Sequence, residues 1–187
     1  LTRANELFKQ GVETIDPEVR SLVISSAVRY ATDATVITDL LQLYRTTPLV
    51  DLREDICAGL ASVRNPEHIQ QVLANFTDST VIRSQDIFRW FAYLIRNRYA
   101  REATWQWLVD NWQWIEHNFA SDKSYDDFPR YAAGGLVTAE QLAHYKAFFQ
   151  PLASVPALTR AINIGITEIQ ARVELIERDG EAVRKKL

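Results

Sequence analysis

Between Val81 and Phe119 the chain places all five of its tryptophans, Trp90, Trp105, Trp107, Trp112 and Trp114, in two segments whose apolar residues recur at helical spacing. Trp105, Leu108, Trp112, Ile115 and Phe119 follow one another at steps of three and four, which puts them on one face of a helix of about five turns. Trp107 and Trp114 form a second line on the same segment, separated from the first by Asn111 and Asn118, so this helix is expected to pack on two sides. The segment before it repeats the pattern, with Ile87, Phe88, Phe91, Leu94 and Ile95 on one stripe and Arg83, Gln85, Asp86 and Arg89 at its start or on its polar side. Two antiparallel helices joined near Asn97 follow.

The remaining sequence extends this into an all-α chain. Its 187 residues suit one domain, 47% of them are hydrophobic and 24% charged, and only six glycines and six prolines interrupt them. No Asn-Gly or Asp-Gly turn joins alternating apolar runs. Asp16-Pro17-Glu18 sets an N-cap, a proline at the first helical position and an acid in the first turn, and Asn65-Pro66-Glu67 repeats the device 49 residues later. These punctuate helices over about 17–31, from Asp33 to Arg45, from Val50 to about Val63 and from Pro66 to Phe76. Further on, the pattern predicts a short helix near Asp126–Ala133 closed by Gly134-Gly135, and a helix opened at Thr138 whose Glu140 sits too early for a capping box. A last helix is expected from about Pro156 to Arg178, interrupted by Gly165 and ended at Asp179-Gly180. Paired antiparallel helices with short links make an α-solenoid, or HEAT-like superhelical stack, although beyond the shared proline entries the repeats have little residue identity.

Several function classes are excluded or weakened by what is missing. A formal charge of −3 gives no basic field for a nucleic-acid backbone. No apolar run reaches the length of a membrane span, and a reducing, cytoplasmic setting fits the single cysteine, Cys57, which reads as a small buried helix residue. His68, His117 and His144 stand apart, with no H-E-x-x-H, and are expected on solvated or boundary faces. Asp122, Asp126 and Asp127 lack the alternation and central glycine of a calcium loop. No catalytic residue and no metal ligand is assigned. The chain also opens at Leu1 inside a helical pattern and has no methionine, so a piece of a longer protein is expected.

The arginines are the more informative polar set. Arg83, Arg89, Arg96, Arg98 and Arg101 fall within nineteen residues around the tryptophan-bearing helices, and a guanidinium fork suits a carboxylate, the free C-terminus of a peptide included. Pairing with Asp86, Glu102 and Asp110 accounts for most of them, with Arg83 and Arg96 as the exceptions that flank a helix lining a concave face.

Three successive pieces carry a resemblance: Val81-Ile82-Arg83-Ser84-Gln85-Asp86, then Asn97-Arg98-Tyr99-Ala100-Arg101, then Ala103-Thr104-Trp105-Gln106-Trp107-Leu108 with Asn111-Trp112. Together they resemble the C-terminal helical domain of the zinc aminopeptidases of the aminopeptidase N and puromycin-sensitive group, which show V-R-x-Q-D, N-P-x-G-R and A-W-x-[FW]-[LIV] in this order. Thr138-Ala139-Glu140-Gln141-Leu142 and the segment from Ala157 to Leu175 continue it, so that about residues 16 to 187 are covered, the first third weakly. Arg98 and Ala100 stand where the family usually has proline and glycine, and Val173-Glu174 where it often has an aromatic.

The resemblance implies that the whole chain, 1–187, is the C-terminal portion of the helical domain of a larger aminopeptidase. The zinc and the chemistry would belong to a catalytic domain elsewhere in the same polypeptide, so this chain alone needs no cofactor and hydrolyses nothing. The helical domain would cover the active site, select substrate by size and offer a polar wall to the far end of a peptide, with Arg83, Gln85 and Arg96 as peptide-binding residues. The alternative is a free-standing HEAT-like scaffold that binds a protein segment.

Overall fold

The computed structural model describes residues 2–186, and among them it contains eleven α-helices, four short 3-10 turns and no strand. The chain divides into two compact units, one up to Trp107 and the other from Leu108.

The first unit holds α1 (Thr2–Lys9), α2 (Pro17–Arg29), α3 (Thr35–Thr46), α4 (Val50–Leu60), α5 (Pro66–Leu73), α6 (Ile87–Arg96) and most of α7 (Arg101–Asp110). Its two proline entries work as their spacing predicts. Asp16 Oδ1 accepts the Glu18 amide at 3.0 Å and Asn65 Oδ1 that of Glu67 at 2.8 Å, each satisfying a first-turn donor that no helix carbonyl can reach. Helix α2 packs closely on α4, α3 on α4 and α5, and α4 on α6, a solenoid-like succession of neighbours. Gly59 makes the α2–α4 approach possible, because a Cβ there would lie 2.2 Å from Ile24 Cγ2. The same pair of helices is clasped by Arg20, whose side chain is only 4% exposed and donates to Asp55 Oδ2 at 2.7 Å and Asp51 Oδ2 at 2.6 Å. Burial disfavours its charge, but the two carboxylates outweigh that and raise its pKa.

The second unit takes the end of α7 with α8 (Trp112–Phe119), α9 (Asp127–Gly135), α10 (Ala139–Phe149) and α11 (Pro156–Arg184). Trp105, Leu108, Trp112, Ile115 and Phe119 are all buried as their spacing predicts, yet they do not share one helix. The helix breaks at Asn111, whose backbone (φ −109°, ψ 17°) leaves the helical region before its carbonyl accepts the Ile115 amide and starts α8. Asparagine disfavours helix interiors because its amide competes for local backbone partners. Trp112 then stacks on Tyr125 (centroids 5.7 Å, 29° between planes) and meets Phe148 and Phe149 edge-on.

Four other expectations need correction. Gly134 and Gly135 lie inside α9 and neither has positive φ; the carbonyls of Ala133 and Leu136 at its end are instead capped by Arg172 Nη1 of α11, at 2.7 and 2.6 Å. Helix α10 does carry a capping box, completed by Gln141 rather than Glu140: its Oε1 accepts the Thr138 amide at 3.2 Å while its own amide donates to Thr138 Oγ1 at 3.2 Å. Helix α11 runs through Gly165 and past Asp179-Gly180 to Arg184. Gly165 marks a close approach, since a Cβ there would lie 2.3 Å from the Tyr145 hydroxyl, which donates to the Pro129 carbonyl at 3.0 Å. Finally, His68 is buried among the core residues of α5, while His117 and His144 are exposed.

Candidate functional site: a guanidinium pocket at the start of α6

Val81 to Ile87 is a short connection whose ends are fixed by apolar burial. Ile82 and Ile87 are buried, and between them Ser84–Asp86 forms a 3-10 turn in which the Asp86 amide donates to the Arg83 carbonyl at 2.8 Å. Arg83 and Gln85 therefore stand on the exposed side of a turn pinned at both ends. They line a pocket of about 120 Å³ together with Tyr44 of α3, Val50, Arg53, Glu54 and Cys57 of α4, and Asp86, Arg89 and Trp90.

Three guanidiniums and two carboxylates meet there, but they are not equivalent. Arg53 donates through Nε and Nη2 to the Thr47 carbonyl, at 3.0 and 2.7 Å, and so caps the end of α3. Arg89 pairs with Glu54. Burial weakens the case for its charge, yet Glu54 prevails and holds its pKa above the ordinary value. Asp86 accepts the Tyr44 hydroxyl at 3.2 Å. The phenol is pushed up to about 12, by burial first and with the Asp86 carboxylate adding to it. Burial likewise pushes the Cys57 thiol up, leaving a neutral, unreactive floor. The side chains of Arg83 and Gln85 make no hydrogen bond or ion pair with any described residue. Arg83 is thus the guanidinium in this pocket whose donors remain available to a ligand.

Of the residues singled out in the sequence, the structure brings Arg83 and Gln85 together in the pocket. Arg96 is exposed at the opposite end of α6 and does not line it. The expected pairing of the other arginines with Asp86, Glu102 and Asp110 is replaced by Glu54 for Arg89, by the Ile95 carbonyl (3.2 Å) for Arg101, and by the ring of Tyr99 for Arg98. Sequence reasoning missed Tyr44, Arg53 and Glu54, which lie some thirty to forty residues upstream of the turn and carry no local motif. Among the described residues no group of three or more histidine, cysteine or carboxylate side chains is placed to hold a metal ion.

A family model of the ERAP1-like C-terminal domain matches residues 1–171. The chain belongs to that family. Aminopeptidase N of Lactococcus lactis subsp. cremoris (strain MG1363) is 32% identical over 100% of this chain and 22% of its own length. Aminopeptidase N of Lactobacillus helveticus is 27% identical over 96% of the chain and 22% of its own length, and glutamyl aminopeptidase of Bitis rhinoceros 28% over 80% and 16%. This ERAP1-like C-terminal domain therefore spans about a fifth of the length of the aminopeptidases it resembles. In it, the turn bearing Arg83 and Gln85 is the segment that carries the V-R-x-Q-D resemblance. No helix among its described residues is long and apolar enough to cross a membrane.

Proposed function

We propose that this domain is the non-catalytic C-terminal part of a zinc-dependent aminopeptidase, and that its guanidinium pocket receives the far end of a peptide whose N-terminal residue is removed elsewhere in the same polypeptide. The observation that carries the reading is the availability of Arg83. In a pocket where Arg53 and Arg89 are already bonded, Arg83 lines, together with Gln85, an opening of a size that suits a carboxylate group. A guanidinium binds a carboxylate through two parallel N–H donors, and a carboxamide supplies both a donor and an acceptor for the adjoining peptide group.

Binding a peptide away from its reacting end contributes to catalysis only if that energy is used to orient the substrate or to close the site around it. The domain would then favour substrates long enough to reach Arg83, and by covering the active site would exclude folded ones. Zinc in such an enzyme would be held by the catalytic domain and would polarise the scissile carbonyl. Arg96, at the other end of α6, belongs to the same wall in this reading and would meet the peptide at a different point along it.

The test is Arg83→Ala in the full-length enzyme, assayed on a long peptide and on a single-residue amide. A fall in kcat/KM on the peptide by about tenfold or more, with the amide little changed, is expected for loss of a charge-assisted pair. Equal losses on both substrates would refute the assignment.

A further inference from the structure

We propose that a second face of the first unit, built on Tyr30, Arg64, Arg98 and Tyr99, binds an acidic peptide segment of a protein partner. These residues come from three links far apart in sequence: the end of α2, the connection from α4 to α5, and the connection from α6 to α7. The Arg64 guanidinium lies 5.7 Å from the ring centroid of Tyr30 and 5.1 Å from that of Tyr99, and the Arg98 guanidinium also lies 5.1 Å from Tyr99. Two cations and two rings thus form one stack, held by attraction between guanidinium charge and the negative ring faces.

The stack is fixed in place before any ligand arrives. Asn97 Nδ2 donates to the carbonyls of Ala61 and Val63, at 2.9 and 2.6 Å, which ties the α6–α7 link to the residue preceding Arg64. The Tyr99 amide donates to Asn97 Oδ1 at 3.0 Å. It is also open, with Tyr30 54% and Tyr99 47% exposed and both arginines on the surface. Neither Arg64 nor Arg98 has an ion pair or hydrogen bond with any described residue. Their N–H donors thus have no acceptor among the described residues, and it is through its N–H edges that a guanidinium takes a carboxylate.

Arginine and tyrosine held rigid at a surface are the residue types that dominate protein interfaces, because little side-chain entropy is lost when a partner arrives. The ring faces turned to the guanidiniums are unavailable as platforms for bases, and two cations release few counterions, so single-stranded nucleic acid is the poorer fit. A glutamate- or aspartate-bearing segment, laid across the tyrosine edges with carboxylates on Arg64 and Arg98, satisfies both charges.

The experiment is a fluorescence-anisotropy titration of a fluorescein-labelled oligoglutamate peptide with the chain, at low and at physiological salt. Saturable binding is expected, weaker at higher salt and weakened about tenfold by Arg64→Gln or Arg98→Gln, each checked for unchanged helix content by circular dichroism. Arg98→Gln alone decides the matter if Arg64→Gln perturbs the fold, since Arg98 is exposed and loses only its contact with the exposed Tyr99 ring, no hydrogen bond or ion pair with a described residue. Arg160→Gln, at an exposed arginine that belongs to neither surface, should retain the affinity. No saturable binding, binding indifferent to Arg98, loss of binding in Arg160→Gln, or tighter binding of a labelled single-stranded oligonucleotide would each overturn the proposal.

Discussion

In the unit up to Trp107, ion pairs join helices remote in sequence beside an apolar core with ring contacts of its own (Tyr44–Trp90, Phe76–Trp90 and Phe76–Trp107), whereas the core of the unit from Leu108 is built around clustered rings. In the first, Arg20 bridges to Asp51 and Asp55, Arg89 to Glu54 and Tyr44 to Asp86, each joining helices that are remote in sequence. In the second, Trp112 stacks on Tyr125 and meets Phe148 and Phe149, Phe119 meets Phe128, and Tyr145 lies against Phe149 beneath Gly165. The difference teaches where function can be carried. Ring packing is bulky and depends on shape, so it tolerates little change, and the Tyr145 hydroxyl within it already donates to the Pro129 carbonyl. A lattice of charged pairs fixes side-chain positions while leaving an occasional member, here Arg83, unpaired at the surface.

The sharpest way to break this contrast is to enlarge or empty the ring-packed region. Phe149→Ala should cost about 3–5 kcal/mol in chemical denaturation, because a fully buried ring leaves a cavity that its neighbours fill poorly. Gly165→Ala should cost about 1–3 kcal/mol through the clash with Tyr145, and somewhat less in a Tyr145→Phe background, where the hydroxyl at 2.3 Å is gone but the ring carbon at 2.9 Å and Ala133 Cβ at 3.0 Å remain. If the cost of Gly165→Ala is independent of Tyr145, the packing described for α10 and α11 is wrong.

In the polar unit the largest effect should come from Arg20→Met. The lost pair with the half-buried Asp55 is worth about 2 kcal/mol, while the more exposed Asp51 adds little through solvent screening. The pH dependence sharpens the picture at Tyr44. Its phenol is raised from 10.0 to about 12 in the folded state, so the unfolded chain releases this proton first as pH rises. The stability it contributes is intact below pH 10.0 and is lost between there and about 12. Tyr44→Phe should flatten that alkaline loss, measured by denaturation midpoints across the window. The smallest effect on stability is expected of Arg83→Ala, within about 0.5 kcal/mol, because it breaks no side-chain hydrogen bond or ion pair with a described residue. A loss as large as that for Arg20→Met would erase the distinction between structural and available guanidiniums.

The sequence made the buried face of the tryptophan segment legible, since every residue of the Trp105 to Phe119 series is buried, and so were the two Asx-Pro-Glu helix entries. What it did not reveal was the break at Asn111, because a stripe of apolar residues at helical spacing survives a one-residue interruption between two helices. The roles of the two glycine features were read locally and are set by tertiary contact: Arg172 caps α9 from 36 residues beyond Leu136, and Gly165 answers to a hydroxyl on α10. In the same way the motif around Val81-Asp86 was visible, with Arg83 and Gln85 in it. That Arg53 and Arg89 would be occupied and Arg83 left available depends on how α4 meets the start of α6, and no local pattern encodes that.

The central claim is that Arg83 receives the carboxylate end of a peptide substrate. It is tested most directly by comparing, in the full-length enzyme, a long peptide bearing a free C-terminal carboxylate with the same peptide as its C-terminal carboxamide, each with and without Arg83→Ala. The account predicts that the wild-type enzyme prefers the free acid in kcat/KM by about tenfold and that Arg83→Ala abolishes this preference by lowering only the free-acid value. A preference that survives the substitution unchanged would contradict it.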